Sequence, residues 1–133
     1  MKYLLDTNIC IYIIKKNPVQ VFDKFHELVI GSVGISSITV AELQYGVAKS
    51  IHSAKNRSAL EKFLTPIEIL DYGYMATEEY GKIRSALEKQ GCVIGHLDML
   101  IASHAKSSGL ILVTNNAKEF ERIPDLMIEN WVN

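Results

Sequence analysis

Cysteine is scarce. Cys10 and Cys92 are the only two in 133 residues, too few and too far apart to staple a fold or to build a zinc site unaided. Both stand among apolar neighbours, which reads as reduced thiols. No apolar run approaches the roughly 18 residues that cross a bilayer, because charge interrupts every long apolar segment. A membrane-spanning helix is therefore not expected. Met1-Lys2-Tyr3 leads straight into a strand-like stretch, so no signal peptide is expected. The reading is a soluble, cytoplasmic protein with no membrane partner. Proline is sparse, and Pro18, Pro66 and Pro124 each fall where an element begins or ends. With no Pro/Gly-rich linker, repeat or low-complexity tract, residues 1–133 read as one domain. A strong basic excess is also missing: the net charge is −1, unlike a bulk nucleic-acid binder. Local clusters can still meet phosphates. Lys49, Lys55, Arg57 and Lys62 form one, and Lys82, Arg84 and Lys89 another.

What is present is alternation of short apolar runs with amphipathic stretches. Lys2–Leu5 predicts a buried strand, with Thr7 or Asn8 capping the helix that follows to about Lys16. Asn17-Pro18 breaks that helix. Val19, Phe22, Phe25 and Val29 recur at helical spacing, giving a second helix over 18–30 that ends at Gly31. Val33–Ser36 predicts the next strand. A third helix opens at Thr39, is interrupted at Gly46 and resumes to about Leu64. Ile67–Leu70 is strand-like, Tyr74–Gln90 is a long helix stopped by Gly91, Leu97–Ser107 is helical, and Leu110–Val113 is an apolar strand. Thr114-Asn115-Asn116 then leads into a short helix to Phe120, and Met127-Ile128 gives an edge strand. Strands alternating with helices predict an α/β/α sandwich around a mainly parallel sheet. Continuously apolar strands agree, since parallel sheets are covered on both faces.

In such sheets functional groups gather beyond the carboxyl ends of the strands. Asp6 follows the strand YLL, Thr114 and Asn116 follow LILV, and Glu42 sits one turn into the helix after VGIS. Asp98 lies near the start of a helix beside Leu97, Leu100, Ile101 and Ala105. No lysine or arginine stands within a helical turn of Asp6, Glu42 or Asp98. A partly buried carboxylate is costly without a positive partner, so the missing charge reads as a metal ion. All-oxygen ligation favours Mg2+ or Mn2+ over zinc. Such an ion stabilises charge on a phosphate and acidifies a water, the requirements of phosphodiester hydrolysis. Each acid also has a local role open to it. Thr39-x-x-Glu42 and Asn116-x-x-Glu119 are formal capping boxes, and Asp6 and Asp98 could cap their own helices. His96 and His104, eight residues apart, allow a general acid–base pair. An aspartate phosphoacceptor is disfavoured: a phosphatase of that kind needs an aspartate where Asn8 stands, and a receiver needs an acidic pair upstream of Asp6. A catalytically silent binding module, its acids kept for folding or for a partner, is the other alternative.

Four segments in register, LLDTNICIY, ISSITVAELQYG, GHLDMLIASHA and LVTNNAKEFERIPDLMIENW, resemble those of PIN-domain ribonucleases, and among them the VapC toxins of bacterial toxin–antitoxin pairs. The resemblance spans essentially the whole chain. It implies an endoribonuclease dependent on Mg2+ or Mn2+, with Asp6, Glu42 and Asp98 at the first three acidic positions. Asn116 stands where many PIN domains have a fourth acid, and Glu119, one turn later, supplies negative charge there. Thr114 matches a hydroxyl position near the metal. In the mechanism so implied, Asp6 and Asp98 hold the metal, Glu42 orients or deprotonates the attacking water, and Asn116 and Glu119 position outer waters. Rim lysines such as Lys49 and Lys82 neutralise flanking phosphates. The resemblance further implies a homodimer, a cognate VapB-like antitoxin and a structured RNA substrate. VTNN and ISSIT are shared with members that cut the anticodon stem-loop of initiator tRNA.

Overall fold

The computed structural model describes residues 1–29 and 31–132. The predicted end of the second helix at Ile30 lies outside the described residues. Strand β1 (Tyr3–Leu5) is followed by α1 (Thr7–Lys15), α2 (Val19–Glu27), β2 (Val33–Ser36), α3 (Ser37–Lys49), α4 (Ser53–Leu64), β3 (Glu68–Leu70), α5 (Tyr74–Lys89), α6 (His96–Ser107), β4 (Ile111–Val113), α7 (Ala117–Phe120) and β5 (Ile128–Glu129). The strands form a single sheet in the order β3-β2-β1-β4-β5. Every pairing is parallel, with Tyr3 opposite both Val33 and Ile111.

Successive residues of a strand face opposite sides, so the central strands feed two cores. Tyr3, Leu5, Ile35 and Val113 join Ile9, Ile13, Leu43, Val47 and Phe63 from α1, α3 and α4 on one side. Leu4 and Leu112 join Ile83, Leu87, Met99 and Ala105 from α5 and α6 on the other. The expected α/β/α sandwich is thus present, and its sheet is wholly parallel. No helix among the described residues is long and apolar enough to cross a membrane.

Several boundaries differ from the sequence reading. Helix α3 runs through Gly46 and breaks only at Ser50–His52. An isolated glycine costs a helix only about 1 kcal/mol, less than the packing of Leu43 and Val47 on either side of it supplies. The cap of α3 is Ser36, whose Oγ accepts the Ile38 N–H at 3.1 Å, so Thr39 and Glu42 form no capping box. Asn116 likewise makes no side-chain cap to α7. The cap of α1 is Asp6 rather than Thr7 or Asn8. Gly31 and Gly91 do stand at positive φ, +90° and +68°, the conformation for which the loss of a Cβ is useful.

Candidate metal-dependent active site

The Asp6 N–H donates to Val113 O at 3.0 Å, which extends the β1–β4 ladder one residue past the strand. The Asp6 side chain therefore stands over the carboxyl ends of both strands. The chain winds outward from β1 to β2 and β3 on one side, then returns to β4 on the other. A crevice opens at such a reversal because neighbouring connections leave to opposite faces.

Asp6 is buried, and its Oδ1 accepts the Ile9 N–H at 2.9 Å. Thr114, the residue after β4, is fully buried. Its hydroxyl accepts the Asn116 N–H at 2.9 Å and turns its own proton to the Asp6 carboxylate. Burial pushes Asp6 up to about 6, the Thr114 and Ile9 hydrogen bonds oppose that rise, and the negative charges of Asp98 and Glu42 add to it. Removal from water outweighs a helix N-terminus and a hydroxyl donor together.

Glu42 comes from the second turn of α3. The Thr7 hydroxyl donates to its Oε1 at 2.7 Å, which fixes the carboxylate beside the β1–α1 junction. Asp98 occupies the first turn of α6, whose cap is Gly95. Its carboxylate folds back over that glycine, with Oδ2 3.4 Å from where a Gly95 Cβ would stand. Burial raises the Asp98 pKa first, then repulsion from Glu119 and from Glu42. Four segments thus deliver four acids that feel one another's charge: Asp6 senses Asp98 and Glu42, and Asp98 senses Glu119 and Glu42.

Among the described residues none of these four forms an ion pair. The pairs there are Lys82–Glu79, Arg84–Glu88 and Lys106–Glu79, all on α5 and α6. Nor do three His, Cys, Asp or Glu side chains among the described residues stand close enough to grip an ion unaided. Four acids that feel one another's charge without standing in direct reach fit a hydrated dication, held by one or two carboxylates directly and by the others through water. They do not fit zinc, whose structural sites need four close protein ligands.

The profile of the PIN domain family matches residues 3–126. Ribonuclease VapC2 of Rickettsia felis is 49% identical over 132 residues, covering 98% of each chain. The tRNA(fMet)-specific endonuclease VapC of Shigella flexneri is 46% identical over 131 residues, again 98% of each. The chain belongs to the PIN-domain family, within its VapC group. Its fold agrees: the DNA-bound VapBC complex of Salmonella typhimurium contains a chain superposing on this PIN domain with a TM-score of 0.93 at 44% identity, covering 98% of both.

One support of the PIN-domain site escaped the sequence reading. Thr7 stands as a possible helix cap in the sequence, yet it holds Glu42 from 35 residues away. A small hydroxyl directly after Asp6 was the available signal. The histidine pair that the spacing allows does not form. His96 is exposed at the first position of α6, whereas His104 is buried against Ser36. The rim lysines sit apart: Lys82 pairs with Glu79 at 3.9 Å, and Lys49 lies over the Tyr45 ring, 4.8 Å from its centroid.

Proposed function

We propose that this PIN domain is the toxin of a toxin–antitoxin pair and acts as an Mg2+- or Mn2+-dependent endoribonuclease on structured RNA. A tRNA is the substrate class, and the anticodon stem-loop of initiator tRNA the favoured target. The convergence of four acids without a cationic partner at the β1/β4 crevice carries the reading. The names of relatives, a ribonuclease and a tRNA(fMet)-specific endonuclease, support the substrate class. When bound, the dication supplies charge neutralisation at the phosphate and a more acidic water. Asp6 and Asp98 hold it. Glu42, fixed by Thr7, orients the attacking water and accepts its proton. Asn116 and Glu119 position surrounding waters, and Thr114 orients Asp6. The water oxygen bonds to phosphorus as the bond to the 3′ oxygen breaks. A proton passes to that oxygen, which leaves a 5′-phosphate and a 3′-hydroxyl.

The test is a gel assay of purified, antitoxin-free protein on a bulk tRNA pool with Mg2+. A discrete cut with a 5′-phosphate end is expected. An intact pool at stoichiometric protein would leave only the silent binding module.

Glu42, Tyr45 and Lys49 fall at i, i+3 and i+7 of α3, one stripe leading outward from the acids. Tyr45 is 65% exposed, so a splayed base can stack on its ring once Lys49 swings from over that ring to the neighbouring phosphate. Tyr45→Ala and Lys49→Ala are each expected to raise KM for RNA about three- to tenfold with kcat unchanged, on the scale of one base stack or phosphate contact. Steady-state kinetics of both variants check this. Lys82→Ala, at a residue already paired with Glu79, is the comparison.

The partner is a VapB-like antitoxin, in line with relatives solved as VapBC complexes. An apolar cleft of about 670 Å³ between α1, α2 and α4 suits an amphipathic segment of it, with Phe22, Phe25 and Phe63 as floor and Lys16, Lys55 and Lys62 at the rim. The toxin works as a homodimer.

A further inference from the structure

Outside the acids, the described residues hold one buried hydrogen-bonded network that the chemistry leaves unused. Ser36 closes β2 and is fully buried. Its Oγ accepts the Ile38 N–H and so caps α3, and the same oxygen is 2.8 Å from His104 Nδ1 across 68 residues of chain. The Tyr72 ring meets the His104 ring edge-on, with centroids 5.4 Å apart. The Tyr72 hydroxyl bonds Ser103 Oγ at 2.7 Å, and the Tyr72 N–H donates to Ser37 Oγ at 3.1 Å. Both residues at the head of α3 are thereby tied to α6, one directly and one through Tyr72.

The two helices so joined carry Glu42 and Asp98. Each acid lies six residues from the joint, Ser36 to Glu42 along α3 and Asp98 to His104 along α6, which is about 9 Å of helix. Leu43 and Val47 of α3 pack in one core and Met99 and Ala105 of α6 in the other, and only Ile38 at the head of α3 reaches the second. Apolar packing, being non-directional, sets the offset between the two helices only loosely. A directional bond fixes it. Burial holds the His104 pKa below its ordinary value, against the pull of Asp71, so the ring is a neutral partner for a hydroxyl. In either tautomer the contact immobilises the oxygen that caps α3.

We infer that His104 is a positioning residue, which through Ser36 sets the head of α3 and hence where Glu42 stands relative to Asp98. This rests on the reading of Glu42 as the group serving the attacking water, and it predicts which kinetic constant changes. A sub-ångström displacement of that carboxylate costs the chemical step far more than it costs the contacts of Tyr45 and Lys49 farther along α3, whose exposed side chains can readjust.

His104→Leu keeps the volume and removes the bond, whereas His104→Asn places a polar atom close to where Nδ1 stood. His104→Leu is expected to lower kcat about tenfold with KM unchanged, and His104→Asn to recover most of the loss. A second readout needs no activity. The Thr7 methyl, whose hydroxyl holds Glu42, is followed by NMR, and its resonance should move in His104→Leu and return in His104→Asn. Should His104→Leu fail to fold, Ser36→Ala takes its place on the same two measurements. A folded His104→Leu or Ser36→Ala protein with wild-type kcat or an unmoved Thr7 signal overturns the inference. If the wild-type protein cuts no RNA, the ribonuclease reading falls on that result, while the Thr7 signal still decides this one.

Discussion

Asp6→Asn abolishes RNA cleavage, by on the order of 10³-fold or more, and at the same time makes the metal-free protein more stable. The two effects share one cause. A carboxylate moved from 3.8 to about 6 by burial binds its proton more tightly in the folded chain than in the unfolded one. Between those pH values the folded state therefore holds more protons, and stability falls as pH rises through that window. Above about 6 both states are ionised and the whole penalty is present, about 3 kcal/mol. Below 3.8 it has vanished. Asparagine carries no charge to desolvate and still accepts the Ile9 N–H. After allowance for a poorer contact with Thr114, the variant should gain about 1–3 kcal/mol at pH 7.5 in EDTA. Denaturant unfolding of both proteins at pH 7.5 and pH 4 checks it, and the gain must shrink at the lower pH. A variant that is less stable at pH 7.5 and equally so at pH 4 would mean that Asp6 is there to cap α1.

Chelation gives the second large effect. EDTA should stop cleavage completely, and Mg2+ or Mn2+ should restore it. The same ions should raise the melting temperature of the wild-type protein, since a ligand at a hundred times its Kd stabilises by about 2.7 kcal/mol. Asp6→Asn and Asp98→Asn should lose both the cleavage and most of that thermal gain. Protons compete for the same oxygens. The apparent affinity for the ion should therefore fall as pH drops through about 6, the region where Asp6 takes up its proton, approaching tenfold per pH unit. Titrations of thermal shift against Mg2+ at pH 5, 6 and 7.5 test this. Equal shifts in wild type and both variants would place the ion elsewhere, and pH-independent affinity would remove Asp6 from its ligands.

Much of this was legible along the chain because parallel-sheet architecture is written in local signals. Apolar runs as short as YLL and LILV, each followed by polar residues, read as strands covered on both faces, and the segments between them carry helical spacing. Local signals misled where a tertiary contact used the same residue differently. Thr39-x-x-Glu42 has the spacing of a capping box, but Thr7, remote in sequence, binds the glutamate, and Ser36 supplies the cap. Gly46 looks like an interruption, yet the packing of Leu43 and Val47 carries α3 through it. His96 and His104 share a spacing, but one faces water and the other lies against Ser36.

Strand–helix alternation, the acids that end up beside the sheet and the scarcity of cations near them were already set along the chain, because each depends on neighbours a few residues apart. That β1 and β4 lie side by side, so that Asp6 and Thr114 meet, arises only on folding. So do the reach of Thr7 to Glu42 and that of His104 to Ser36. Those are contacts between chain segments brought together by burial, and burial carries no record of sequence distance.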